Sequence, residues 1–164
     1  MSIKNFLHKQ VYLSIIHYYD LFFKKGFAWY KSHFPFKQTG QITGEATPDI
    51  VWSYASLKLL KKTLPNLKLI ISLRDPYERT ISHYYHNIRK GRELRDLLEA
   101  LTSTESQISS KNLDLFSSDY IKALRFSYIS RSRYSEQLDY LLEIFNLEDM
   151  LFLPYSEVID MKSK

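Results

Sequence analysis

Apolar positions recur at helical spacing along several stretches of the chain and condense into short continuous runs in two others. Ser2 to Lys25 carries Phe6, Val11, Leu13, Ile15, Ile16, Tyr19 and Phe22 without Pro or Gly, which predicts a helix ending at Gly26. Phe27, Trp29, Tyr30 and Phe34 continue it as a short helical turn up to Pro35. Lys37 to Thr43, with Gly40 and Gly44, then reads as a loop feeding a short strand around Ile42. Thr47 and Pro48 have the form of an N-cap followed by proline at the first helical position. Ile50, Tyr54, Leu57, Leu60 and Leu64 follow at helical spacing, so an amphipathic helix is expected from there to near Pro65.

Leu67 to Leu73 is a nearly continuous apolar run, the pattern of a strand buried on both faces of a parallel sheet. A second helix start follows at once. Asp75 can cap, Pro76 fits the first turn, and Glu78 stands where a capping box needs it, with Ile81, Tyr84, Tyr85 and Ile88 on the apolar side before Gly91 closes the helix. The alternation of strand and helix implies a right-handed parallel unit. Glu93 to Leu101 reads as helical, and Thr102 to Ser118, with its six serines, reads as an exposed, mobile connection within the domain. Tyr134, Leu138, Leu141, Leu142 and Phe145 mark another amphipathic helix. Met150 to Leu153 before Pro154 is a second buried strand, with a new helix beginning near Ser156.

Composition narrows the class. With 164 residues, 45% hydrophobic and 25% charged, residues 1–164 are expected to form a single packed domain. The absence of cysteine excludes a disulfide framework, a thiolate zinc site and a cysteine nucleophile, and makes a reducing, cytoplasmic setting the default expectation. The apolar stretch Val11 to Ile16 is flanked by Lys4, His8, Lys9 and Asp20, so neither a signal peptide nor a membrane span is expected. The charge of +5 and the 13 Tyr and 10 Phe would suit nucleic acid, but the basic residues are scattered over many elements, so no nucleic-acid partner is expected. Gly26, Gly40, Gly44 and Gly91 stand far apart, and none belongs to a phosphate-cradling loop.

Candidate chemistry gathers at two predicted strand ends. Each delivers a charged residue, Glu45 or Arg74, and within two residues a capped, proline-started helix begins. Ligands of open parallel sheets bind outside the carboxyl ends of strands, so both groups are expected to face one crevice. A helix N-terminus beside Arg74 would add free N–H groups and a favourable dipole for an anion. Ser82 lies three residues after Arg79 and ahead of His86 and Arg89, so a hydroxyl and cations can line one face above Arg74. That describes a phosphate site, but a helix with Arg79, Arg89, Lys90 and Arg92 equally describes a solvated face. Glu45 alone fits either a base or a structural carboxylate. His83 and His86 lack further ligands at metal-binding spacing, so packing or surface roles are expected and no metal.

Several motifs together resemble a known family. The run Lys68 to Tyr85, containing Arg74, Asp75, Pro76, Glu78, Arg79 and Ser82, is similar to the 3′-phosphate-binding strand and helix of sulfotransferases that use 3′-phosphoadenosine 5′-phosphosulfate. The branch it most resembles includes the heparan sulfate N- and O-sulfotransferases and bacterial relatives. Gly26 to Tyr30 ahead of Phe34 and Pro35, then Gly44 to Pro48, then the Arg74 to Ser82 motif, then Ser132 to Tyr134 leading to the strand at Met150, follow the family's order. The resemblance spans most of Asp20 to Val158. It implies an α/β, P-loop-type three-layer fold with a parallel sheet flanked by helices. It also implies that Arg74 and Ser82 hold the donor's 3′-phosphate, that Glu45 is the catalytic base toward a small-molecule or glycan hydroxyl or amine, and that no metal is needed.

The same resemblance implies parts that are not seen. A family member begins with a strand and a Gly-rich loop whose Lys and amides grip the 5′-phosphosulfate, and the residues before Asp20 show no such loop. Further donor and acceptor contacts would follow Lys164. The domain is therefore expected to be incomplete at both ends. Loss of one principal transition-state cation costs roughly 10²–10³ in rate by analogy with a lost oxyanion donor. A chain of this kind would need a complementing chain to supply the loop, or would be an inactive remnant that at most binds a 3′-phosphonucleotide.

Overall fold

The computed structural model describes residues 28, 29, 32, 44, 46–115 and 117–162. The helix expected over Ser2 to Lys25, the strand around Ile42 and Glu45 lie outside the described residues. The chain divides into two compact units, Met1–Pro48 and Asp49–Lys164. In the first, Ala28 and Trp29 are helical and the Ser32 amide donates to the Ala28 carbonyl at 3.1 Å.

The second unit runs α1 (Tyr54–Thr63), β1 (Leu69–Leu73), α2 (Pro76–Arg89), α3 (Leu97–Thr102), α4 (Thr104–Gln107), α5 (Ser118–Phe126), α6 (Tyr134–Ile144), β2 (Met150–Pro154) and α7 (Tyr155–Lys162). β1 and β2 pair in parallel, in a register that sets Leu69 opposite Met150 and Leu73 opposite Pro154. This mixed α/β unit, a parallel strand pair flanked by helices, agrees with the fold class expected from the sequence. One core lies between the sheet and α1 and α6, where Leu57, Ile71, Tyr140, Leu141 and Phe145 are buried. A second gathers Trp52, Tyr120, Ala123 and Leu124, and a third gathers Tyr84, Ala100 and Tyr128.

Several expectations are corrected. β1 is not buried on both faces: Ile71 is 4% exposed, but Ile70 is 55% exposed and Leu151 beside it 47%. Leu69, Ile71 and Leu73 alternate inward against α1 and α6, and a continuous apolar run cannot reveal which alternate residues a helix covers. The first helix does not start at Pro48. Residues 50–53 form a turn closed by the Ser53 amide on the Ile50 carbonyl, and α1 begins at Tyr54 with Ser53 as its cap, accepting from the Ser56 amide at 3.3 Å. The cause is tertiary. Trp52 is buried, its Nε1 donates to Ser130 Oγ at 3.0 Å, and its carbonyl, which a longer helix would have used internally, accepts from Ser110 Oγ.

The serine-rich stretch is not the exposed connection expected. Ser106 and Ser110 are fully buried, Ser103 and Ser117 cap α4 and α5, and Ser109 shares a 2.9 Å hydrogen bond with Tyr140. These hydroxyls serve as caps and as long-range staples. The segment from Glu93 is not helical until Leu97, because Glu93 is buried and turned onto Arg95 and Tyr128 while Asp96 caps α3.

The apolar side predicted for α2 is also rotated. Tyr85 and Ile88 are exposed, and the buried stripe is Thr80, Tyr84 and Asn87. Gly91, at φ 63°, adopts the left-handed conformation that ends the helix.

Candidate active site

Arg74 is the first residue beyond β1, and its position follows from two local signals in succession. The apolar run makes the strand, and Asp75 with Pro76 starts α2 immediately after it. Asp75 Oδ1 accepts from the Glu78 amide at 2.9 Å, as the sequence predicts. The reciprocal half of the capping box is absent. The Glu78 carboxylate turns to Arg74, accepting from its Nε at 3.0 Å. The guanidinium also lies 5.5 Å from the centre of the Tyr155 ring. Its side chain is 35% exposed, and no hydrogen bond among the described residues engages Nη1 or Nη2. The planar edge that grips carboxylates and phosphates in bidentate fashion therefore has no protein partner there.

The helix end contributes less to an anion site than its sequence promised. Pro76 has no N–H, the Glu78 amide is held by the Asp75 side chain and the Arg79 amide by the Asp75 carbonyl at 2.9 Å. Asp75 and Glu78 also bring negative charge to this turn. Arg74, not the helix dipole, supplies the positive pole.

Arg79 departs further from the expected picture. It points inward, donating from Nε to Ser132 Oγ at 2.5 Å and from Nη2 to the Tyr128 carbonyl. Burial and the neighbouring Arg131 lower its pKa to about 10. Ser132 in turn shares a 2.6 Å hydrogen bond with Thr80. Arg79 therefore fastens α2 to the residues that precede α6, and it is not a cation above Arg74. His83 is likewise interior: it packs edge-on to Tyr128 at 4.8 Å, and burial, with Arg131 and Arg79 nearby, holds its pKa at about 2, so it stays neutral.

Ser82 is exposed, one helical turn beyond Glu78 on the same stripe, with His86 and Arg89 continuing the stripe into solvent. Arg74, Glu78 and Ser82 thus follow one another along one side of the strand–helix junction. Glu45 lies outside the described residues. Among the described residues no cluster of His, Asp and Glu is arranged to hold a metal ion, and no helix is long and apolar enough to cross a membrane.

Two residues that touch Arg74 are not singled out by the sequence pattern. The pattern places Glu78 only in the cap of α2, and Tyr155 only after the second strand, where in parallel register the residue after Pro154 falls beside the residue after Leu73.

The mixed α/β unit thus presents an arginine edge at the carboxyl end of a parallel strand, beside a serine-bearing helix, which is where ligands of open parallel sheets bind. The chain belongs to the sulfotransferase family: the model of the sulfotransferase domain matches residues 4–162. It is 28% identical over 143 residues to human heparan sulfate glucosamine 3-O-sulfotransferase 3B1, covering 87% of this chain and 34% of that protein. It is 36% identical over 77 residues to the membrane-associated sulfotransferase kil1 of Dictyostelium discoideum, covering 45% of this chain and 16% of that protein. It is 27% identical over 137 residues to the bifunctional heparan sulfate N-deacetylase/N-sulfotransferase 1 of Caenorhabditis elegans, 82% of this chain and 14% of that one. The chain spans about a third or less of the length of the curated relatives it matches.

Proposed function

We propose that this protein transfers a sulfuryl group from 3′-phosphoadenosine 5′-phosphosulfate to a hydroxyl or amine of a carbohydrate acceptor. The observation that carries the reading is Arg74, at the strand end of a sulfotransferase domain, with no hydrogen bond to its Nη edge among the described residues. A charge-assisted, bidentate pair with a phosphate is the chemistry that edge performs best. Ser82, exposed on the same side, adds a hydroxyl donor for a further phosphate oxygen. The relatives' names, heparan sulfate glucosamine 3-O-sulfotransferase and N-sulfotransferase, support a carbohydrate acceptor at oxygen or nitrogen.

In this reading Glu45 accepts the acceptor's proton as its oxygen or nitrogen forms a bond to sulfur. The bond from sulfur to the 5′-phosphate oxygen breaks, leaving adenosine 3′,5′-bisphosphate and the sulfated acceptor. The test begins with binding. Calorimetric titration of the full chain is expected to show adenosine 3′,5′-bisphosphate binding tighter than adenosine 5′-phosphate, and Arg74→Ala is expected to erase the difference, a loss of about 10–100-fold. Equal binding of the two nucleotides by the unmodified chain overturns the reading. In a transfer assay Glu45→Gln is expected to lower the rate by about 10²–10⁴ with nucleotide binding retained. An unchanged rate removes Glu45 as the base.

A further inference from the structure

We propose that Glu78 and Tyr155 are positioning residues that set the Arg74 guanidinium for the donor's 3′-phosphate. This rests on the assignment of Arg74 made above. Three independent features meet at this side chain. β1 fixes its backbone, since Leu73 is the last residue of the strand. The Glu78 carboxylate accepts from Nε at 3.0 Å, and the Tyr155 ring lies against the guanidinium with its centre 5.5 Å away. One contact engages Nε, the other sets the guanidinium carbon over an aromatic ring, and among the described residues no hydrogen bond engages the Nη1/Nη2 edge.

The partners are themselves placed by the fold. Glu78 sits in the first turn of α2 with its amide held by Asp75, so its side chain starts from a fixed origin beside Arg74. Tyr155 follows Pro154, which pairs in register with Leu73, so the ends of the two strands bring the ring to the arginine. Neither contact contributes much to stability. Glu78 is 59% exposed at its side chain and Tyr155 is 41% exposed, and an ion pair in such a setting is screened by water. Their value lies in the ligand-binding step. A free arginine side chain loses freedom about several rotatable bonds when it grips an anion, whereas one already held at Nε and against a ring loses less.

Glu78 also carries negative charge near an anion, an effect of opposite sign, and the two are separable by choice of substitution. Gln at position 78 keeps an oxygen for Nε and removes the charge, while Ala removes both. Phe at position 155 keeps the ring, and Ala removes it. Nucleotide affinity is measured by calorimetry on the full chain for adenosine 3′,5′-bisphosphate and adenosine 5′-phosphate. Glu78→Ala and Tyr155→Ala are expected to weaken the bisphosphate by about three- to tenfold, with adenosine 5′-phosphate unchanged and no further loss once Arg74→Ala is present. Glu78→Gln and Tyr155→Phe are expected to stay within about twofold of the unmodified chain. Tighter or unchanged bisphosphate binding in both alanine variants overturns the inference, as does a loss shared equally by the two nucleotides. If the unmodified chain does not distinguish the nucleotides, the assignment of Arg74 itself falls. That result is distinct from one in which Arg74 matters and its two neighbours do not.

Discussion

Replacing Glu93 with glutamine should cost this protein about 3 kcal/mol. The carboxylate is 3% exposed and collects five donors: the amides of Leu94 and Arg95 at 3.1 Å each, Arg95 Nε at 2.9 Å, Arg95 Nη2 at 2.8 Å and the Tyr128 hydroxyl at 2.8 Å. These interactions, led by the Arg95 guanidinium, lower its pKa from 4.5 to about 2. At about 1.36 kcal/mol for each unit, a depression from 4.5 to about 2 corresponds to about 3 kcal/mol favouring the ionised form in the folded state. Breaking a buried charge pair by removing one partner costs about 3–5 kcal/mol, which agrees. Because the folded pKa lies below the unfolded one, the contribution is complete above about pH 4.5 and is lost as pH falls toward about 2. Urea denaturation of the unmodified chain and of Glu93→Gln, at pH 7 and in steps down to pH 3, measures this directly. The gap between the two is expected to be largest at pH 7 and to narrow below pH 4.5. A gap under about 1 kcal/mol at neutral pH, or one that does not change with acid, would refute the reasoning.

Arg79→Lys, which keeps the charge but loses the fork that reaches both Ser132 and Tyr128, should destabilise by about 1–3 kcal/mol in the same denaturation assay. Its bisphosphate affinity, measured on folded protein, should move by less than about threefold. A 3′-phosphate-specific loss as large as that of Arg74→Ala would return Arg79 to the ligand face. Ser110→Ala removes a fully buried hydroxyl that donates to the Trp52 carbonyl and accepts from the Tyr54 amide at 3.3 Å. It should cost about 1–3 kcal/mol. A cost near zero, as for an exposed loop serine, would contradict the anchoring role given to this segment.

What could be read in the sequence was local. The apolar runs Leu67 to Leu73 and Met150 to Leu153 hold the strands Leu69–Leu73 and Met150–Pro154, the Asp75 and Pro76 start signal is where α2 begins, and Arg74 stands between strand and helix as expected. Each depends on a few adjacent residues whose backbone preferences agree. What could not be read depended on partners far along the chain. Ser110 lies 58 residues from the Trp52 carbonyl it binds, and that contact decides where α1 starts. Tyr128 lies 35 residues from Glu93, and that contact decides that residues 93–96 leave the helix. A serine that caps, a serine that staples and a serine in a solvated loop look the same in one sequence.

The orientation of α2 shows how one such misreading propagates into function. Ranking side chains by apolarity turns Ile81, Tyr84, Tyr85 and Ile88 inward and leaves Arg79 in solvent, where it joins Arg74 as a second cation. The helix instead buries Thr80, Tyr84 and Asn87, because each polar member finds a partner across the core: Thr80 with Ser132, and Asn87 with the Arg125 carbonyl at 2.6 Å and the Tyr128 hydroxyl at 3.0 Å. Once those groups are satisfied, burying them costs little, and apolarity no longer fixes the helix rotation. Arg79 then turns inward with the buried stripe, while Glu78 and Ser82 turn outward beside Arg74. Among the described residues Arg74 therefore stands at the strand end without Arg79 beside it, with the Glu78 carboxylate and the Tyr155 ring against its guanidinium. The strength of the proposed phosphate contact then depends on how that guanidinium is held.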